Sequence, residues 1–185
     1  MAGLDQHGLR AIRLVIKEVL KGLCRRFYAV TELPDGTVVS HEIAKEGNFF
    51  PGFKDCIGVV DGSHVPIKLK GHDAGAYRNR KGGLSQNVLA VCDFDLNILW
   101  LQSGYEGSAH DGTVLRKARQ NGFKTPTGRY YLGDGGYSSM DKGLLIPYQR
   151  TRYHLREHRA SQQKPETPRE LFNLRHSQLR NAVGV

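Results

Sequence analysis

Apolar residues at Leu9, Ile12, Ile16, Val19, Leu20 and Leu23 recur every three to four positions. That spacing predicts an amphipathic helix of about four turns, its apolar stripe turned to a core and Gly22 near its end. Leu33-Pro34-Asp35-Gly36-Thr37 breaks the pattern as a turn. From Pro51 onward the pattern changes to short apolar runs. Cys56-Ile57-Gly58-Val59-Val60 predicts a buried strand ending at Asp61-Gly62, and 65–69 predicts a second. Two more, at 87–92 and 98–101, are separated by five residues and predict a hairpin. Residues 112–120 read as a helix with Asp111 as its N-cap. A strand at 130–133 runs into Asp134, and a last one at 144–146 is stopped by Pro147. Thr167-Pro168-Arg169-Glu170 has the form of a capping box with proline at the first helical position. Leu171, Leu174, Gln178, Leu179, Ala182 and Val183 make one face of the helix that follows. Strands first, then helices interleaved with strands, predict an α/β domain: a mixed sheet with flanking helices. The boundaries drawn from this pattern are a helical preface and linker at 1–48 and the main domain at 49–185.

Composition narrows the function classes. A chain of 185 residues with 24% charged and 39% hydrophobic residues is globular in character, long enough to bury a core without disulfides. Its net charge of +9 suits a polyanion such as DNA. The charge is concentrated: from Arg150 to the end, eight Lys or Arg stand against three Glu. Cys24, Cys56 and Cys92 are widely spaced and include no Cys-x-x-Cys pair, which argues against a disulfide framework and a thiolate zinc site. No apolar run approaches a membrane span, and Arg10, Arg13, Lys17 and Glu18 interrupt any leader-like stretch. The expectation is an intracellular, soluble protein without a membrane partner.

Asp61, Asp111 and Asp134 each follow an apolar strand or a glycine turn linked to one, and each is followed by Gly. Asp-Gly by itself signals a turn, as Asp35-Gly36 illustrates, and Asp is a good helix cap. Carboxylates at the ends of neighbouring strands, however, converge, and clustered like charges call for a cation. Mg²⁺ and Mn²⁺ take oxygen ligands, and a pair of such ions clamps the attacking and leaving oxygens of a phosphodiester. A basic chain with an acidic centre therefore fits nucleic-acid cleavage. His64 and His110 stand beside two of the aspartates and read as hydrogen-bonding supports.

The stretch from Phe50-Pro51-Gly52-Phe53 through Val59-Val60-Asp61-Gly62-Ser63-His64 resembles the first catalytic block of Harbinger/PIF-type transposases, of the DDE superfamily of endonucleases. Four further blocks follow in order. Tyr77-Arg78-Asn79-Arg80-Lys81-Gly82 is similar to the family's basic segment, and Gly107-Ser108-Ala109-His110-Asp111 to its second-aspartate block. Tyr131-Leu132-Gly133-Asp134-Gly135-Gly136-Tyr137 resembles the third, and 171–181 the final helix. The resemblance implies an RNase H-like fold and divalent-metal-dependent DNA cleavage and strand transfer in the nucleus, alongside a separate DNA-binding protein encoded by the same element. It implies catalytic roles for Asp61 and Asp111, metal binding by Asp61, Asp111 and Asp134 with Asp134 as the accessory member, and nucleic-acid contacts by Arg78, Arg80, Lys81, Arg175 and Arg180. One departure matters. The family's last glutamate lies four residues beyond the arginine matched by Arg180, and Gly184 holds that place. Glu170 lies on the same helix but about 21 Å away along its axis, and its capping position accounts for it. The expectation is an impaired nuclease; the alternative is a non-catalytic DNA- or protein-binding module that keeps the fold.

Overall fold

A computed structural model describes residues 6–69, 72–152 and 164–182. The chain divides into two compact units, Met1–Glu32 and Leu33–Val185. The first is a single long helix, α1 (Gln6–Val30), longer than the periodicity predicts because Gly22 does not interrupt it. Its stripe was expected to face a core. Instead Leu9, Ile12, Ile16, Val19, Leu20 and Leu23 are all exposed.

The second unit begins well before residue 49. A short helix, α2 (His41–Ala44), is capped by the Ser40 hydroxyl, which accepts from the Glu42 N–H at 3.2 Å. It carries Ile43, fully buried, into the domain core. The segment read as linker is thus part of this unit. The sheet consists of β1 (Cys56–Pro66), β2 (Ser85–Cys92), β3 (Ile98–Glu106), β4 (Tyr130–Leu132) and β5 (Leu144–Leu145), in the order β3-β2-β1-β4-β5. β1 and β2 are antiparallel, as are β2 and β3, whereas β4 runs parallel to β1 and β5 parallel to β4. The expected hairpin joins β2 to β3. Asp93 holds its turn, accepting from the N–H groups of Asp95 and Asn97 at 2.9 and 2.8 Å.

Both faces of the sheet are covered, and the side-chain alternation of the strands sorts the core into two layers. Val60, Leu89, Val91 and Tyr131 point to one face, where α3 (Asp111–Gln120) lays Val114, Leu115 and Ala118. Val59, Cys92 and Leu132 point to the other, against Ile43 and, from the last helix α4 (Pro168–Ala182), Phe172 and Leu179. Gly58 sits at an irregularity in the β1–β4 register with φ +152°, and a side chain there would collide with the Cys92 carbonyl.

Two elements differ from the sequence pattern. The two short strands expected on either side of Asp61-Gly62 are one strand, because β2 pairs with β1 continuously from Val59 to Pro66. In α4 the buried positions are Asn173, His176, Ser177 and Leu179, while Leu171 is exposed, so the helix is rotated from the face its apolar residues suggest. The reason is the set of backbone carbonyls it covers. Asn173 Nδ2 donates to the Tyr148, Thr151 and Arg152 carbonyls and its Oδ1 accepts from the Tyr148 N–H. His176 Nε2 donates to the Leu145 carbonyl at 2.9 Å. The α4 start is as expected: the Glu170 N–H donates to Thr167 Oγ1, and the Glu170 carboxylate takes the Glu166 N–H and Arg152. That cap engages Glu170 fully at its own end of the helix.

Candidate active site

Along β1 the side chains pass from buried at Cys56–Val60 to half-buried at Asp61 and Gly62 and exposed beyond. Asp61 therefore stands where the strand leaves the core, within the strand and not at its end. Val59 is level with Leu132 on the parallel neighbour β4. Two residues further along come Asp61, still within β1, and Asp134, just past the end of β4. Asp61 Oδ1 accepts from the Gly62 N–H at 2.9 Å, and Oδ2 accepts from Arg180 Nη2 of α4 at 2.7 Å. Burial pushes the Asp61 carboxyl above its usual range. The Arg180 guanidinium opposes that shift and the Asp134 charge adds to it. Asp134 is held by its own turn, with Oδ1 accepting from the Gly136 N–H at 2.9 Å.

Asp111 approaches from the other side of β1. His110, and not Asp111, is the N-cap of α3, and it makes no side-chain capping bond. The Asp111 carboxylate is thus not consumed by the helix terminus. It accepts from Asn87 Nδ2 at 2.7 Å. Asn87 is 1% exposed, lies opposite His64 in the β1–β2 ladder, and also donates to the Ala109 carbonyl. The Asp111 carboxylate rests on Gly62, where a side chain would collide with it. Buried Tyr137 lies within the field of all these groups. Its hydroxyl is pushed up first by burial and then by Asp111, Asp61 and Asp134, with Arg180 acting the other way. That hydroxyl has no hydrogen-bond partner among the described residues.

The basic residues separate into two groups. Arg80 Nη2 donates to His110 Nδ1 at 2.9 Å, and with exposed Lys81 it borders a cleft reaching Asp111. Arg78 closes its own loop on the Gly82 carbonyl at 2.9 Å. Arg175 bonds Gln178 along α4. Arg180, expected to face nucleic acid, is 14% exposed and turned inward onto Asp61. Asn87, Tyr137 and Gly62 fall within the family-like stretches of the sequence, which assign none of them a role of its own. Gly184 and the arginines Arg156 and Arg159 lie outside the described residues.

Residues 60–184 match the family described as DDE superfamily endonuclease. The chain belongs to this superfamily. Its mixed sheet flanked by helices is accordingly an α/β, RNase H-like nuclease fold, as the sequence blocks implied. Among relatives, the nuclease-named HARBI1 of Rattus norvegicus is 28% identical over 172 residues, 91% of this chain and 45% of that protein. HARBI1 of Mus musculus is 30% identical over 135 residues, 71% of this chain and 38% of the relative. The ALP1-like protein of Arabidopsis thaliana is 27% identical over 163 residues, 78% of this chain and 37% of its own length. The chain spans less than half the length of these relatives. No solved structure matches it.

DDE endonucleases usually work with divalent cations, and the residues present can be tested against that. Carboxylate oxygens are the donors Mg²⁺ and Mn²⁺ take. The Asp61 carboxyl is raised by burial and by the charge of Asp134, and the buried Tyr137 hydroxyl, which feels both carboxylates, has no hydrogen-bond partner among the described residues. A cation would relieve the electrostatic cost at the two carboxylates, so the pair fits. The three aspartates do not form a ligand cage: among the described residues no three His, Cys, Asp or Glu stand close enough to hold a metal.

Proposed function

We propose that this chain is a DNA-cleaving transposase-derived domain whose reaction centre is built on Asp61 and Asp134, with Asp111 as the third carboxylate, and that its activity is impaired by Gly184. What supports this reading is that Asp61 stands 2.7 Å from Arg180 and within the field of Asp134, while Asp111 rests against Gly62, the next residue along the strand. Asp61 and Asp134 would hold a divalent ion, which when bound would supply Lewis-acid stabilisation of a phosphodiester and a more acidic water. Arg180 neutralises Asp61 in the meantime, and Asn87 fixes the direction of the Asp111 carboxylate. Asp134 thereby takes a more central part than the sequence blocks alone assign to it. The basic balance of the chain supports a polyanionic substrate. In a whole protein the setting would be the nucleus, alongside a separate DNA-binding partner.

A second reading is favoured by the same Arg180–Asp61 pair: a domain that binds DNA and does no chemistry, its acidic centre neutralised internally. Nicking of supercoiled plasmid in Mn²⁺ separates the two. The wild-type chain is expected near background, and Gly184→Glu is expected to raise the rate at least tenfold, about 1.4 kcal/mol of barrier. Asp61→Asn or Asp134→Asn in that background should return it to the baseline. If Gly184→Glu stays inert while DNA binding persists in EDTA, the non-catalytic reading stands.

A further inference from the structure

A cleft of ≈ 220 Å³ opens beside Asp111, walled by His64, Asn79, Arg80, Lys81 and His110. It shares the Asp111 wall with the acidic centre, but its other charged groups are of the opposite sign. Counting His as neutral, Arg80 and Lys81 outweigh Asp111 by one positive charge. The Asp111 carboxylate is also already engaged by Asn87 at 2.7 Å.

The walls are held in place by hydrogen bonds. Asn79 Oδ1 accepts from the N–H groups of Lys81 and Gly83 at 3.0 and 3.1 Å, fixing the turn that carries Arg80 and Lys81. Asn79 Nδ2 donates to Ser85 Oγ at 2.9 Å, and the same hydroxyl bonds His64 Nδ1 at 3.0 Å. Ser85 is 1% exposed, so this anchor is rigid. The Gly107 backbone lies so close to the Tyr77 and Ser85 carbonyls that any side chain there would collide. The Arg80–His110 bond fixes a tautomer as well. A guanidinium only donates, so His110 Nδ1 is the acceptor and the neutral ring carries its proton on Nε2. The cleft is therefore lined by Arg80, Lys81 and a His110 ring whose Nε2 carries the proton, on a hydrogen-bonded frame beside Asp111.

We infer that this cleft seats a single phosphate of the DNA strand, flanking the phosphodiester at Asp61 and Asp134, with Arg80 and Lys81 supplying charge and His110 a directed N–H. The identity of the strand rests on the proposed function; the preference for a phosphate rests on the cleft alone. A seated phosphate would fix the strand's register on the acidic centre, which contacts to phosphate elsewhere on a basic surface would not do.

The test uses the 185-residue chain in EDTA. Inorganic phosphate titrated against ¹⁵N-labelled protein is expected to move the His64 and His110 ring resonances saturably. In Arg80→Gln/Lys81→Gln the apparent affinity should fall at least tenfold. If that double variant does not fold, Lys81→Gln alone, at an exposed position, should still weaken the titration. A labelled DNA duplex should lose affinity to the same variants, and the slope of log K against log salt should become shallower by about one for each phosphate the variant no longer neutralises. Asp61→Asn should leave the phosphate titration in place, so failed nicking and a failed phosphate seat are distinguishable. Absence of saturable shifts, or equal shifts in the variants, overturns the inference. A positive phosphate titration with unchanged DNA binding overturns its assignment to a DNA strand.

Discussion

Asp61 is the residue on which the opposing forces can be weighed. Burial and the Asp134 charge raise its carboxyl, and Arg180, 2.7 Å away, draws it back down. The net direction is upward from 3.8, so burial wins over the ion pair. A carboxyl raised on folding costs the fold stability once pH exceeds its unfolded value, because the folded state then resists losing the proton. A cation bound there would relieve that cost. Two substitutions should move this group in opposite senses. Arg180→Gln should raise the Asp61 value further, and Asp134→Asn should lower it, both read from ¹³C carboxyl shifts against pH. Equal values in all three chains would mean that neither neighbour acts on Asp61. The sequence made Asp61 conspicuous through its Asp-Gly and its block, but its countercharge was hidden, since Arg180 lies 119 positions away.

Among the elements, α4 shows most clearly how tertiary demands override an apolar pattern. Its sequence offers Leu171 and Leu174 as a face, yet the helix buries Asn173 and His176, whose side chains bond the backbone of the 145–152 segment. Asn173 makes four hydrogen bonds to that segment while fully buried. Replacing it leaves several backbone groups unsatisfied, each such loss costing about 1–3 kcal/mol. Asn173→Ala should therefore destabilise the domain by about 2–4 kcal/mol by urea denaturation. A loss below about 0.5 kcal/mol would show that the segment finds other partners. The same rotation aims Arg180 at Asp61, so the helix that bonds these backbone groups also sets the charge beside that carboxylate. β1 makes a related point. Asp-Gly is a common strand terminator, but eight paired residues of β2 carry the strand straight through it.

At the scale of the whole molecule, one buried histidine contributes a pH dependence of stability. His176 is buried and donates to the Leu145 carbonyl as a neutral ring, and burial pulls its value down from 6.5 to about 4. Its folded value lies below its unfolded one, so between those two pH values the unfolded chain binds a proton that the folded chain refuses. Stability from this group is complete above the unfolded value and is lost as pH falls, levelling off below the folded value. The loss is on the order of 3 kcal/mol at its full extent. A chain carrying His176→Asn should lose that part of the pH dependence, seen as a smaller fall in Tm between pH 7 and pH 4. Parallel Tm curves for the two chains would remove His176 as the cause. The sequence by itself determined most of the element types, the mixed sheet with its flanking helices and the superfamily, because these rest on local periodicity and on short contiguous blocks. Tertiary structure alone decided that Asp61 lies within the field of Asp134, that Arg180 turns inward, and that α1 leaves its stripe exposed. Strand register, helix rotation and burial are relations between distant parts of the chain, and no window along the sequence contains both partners.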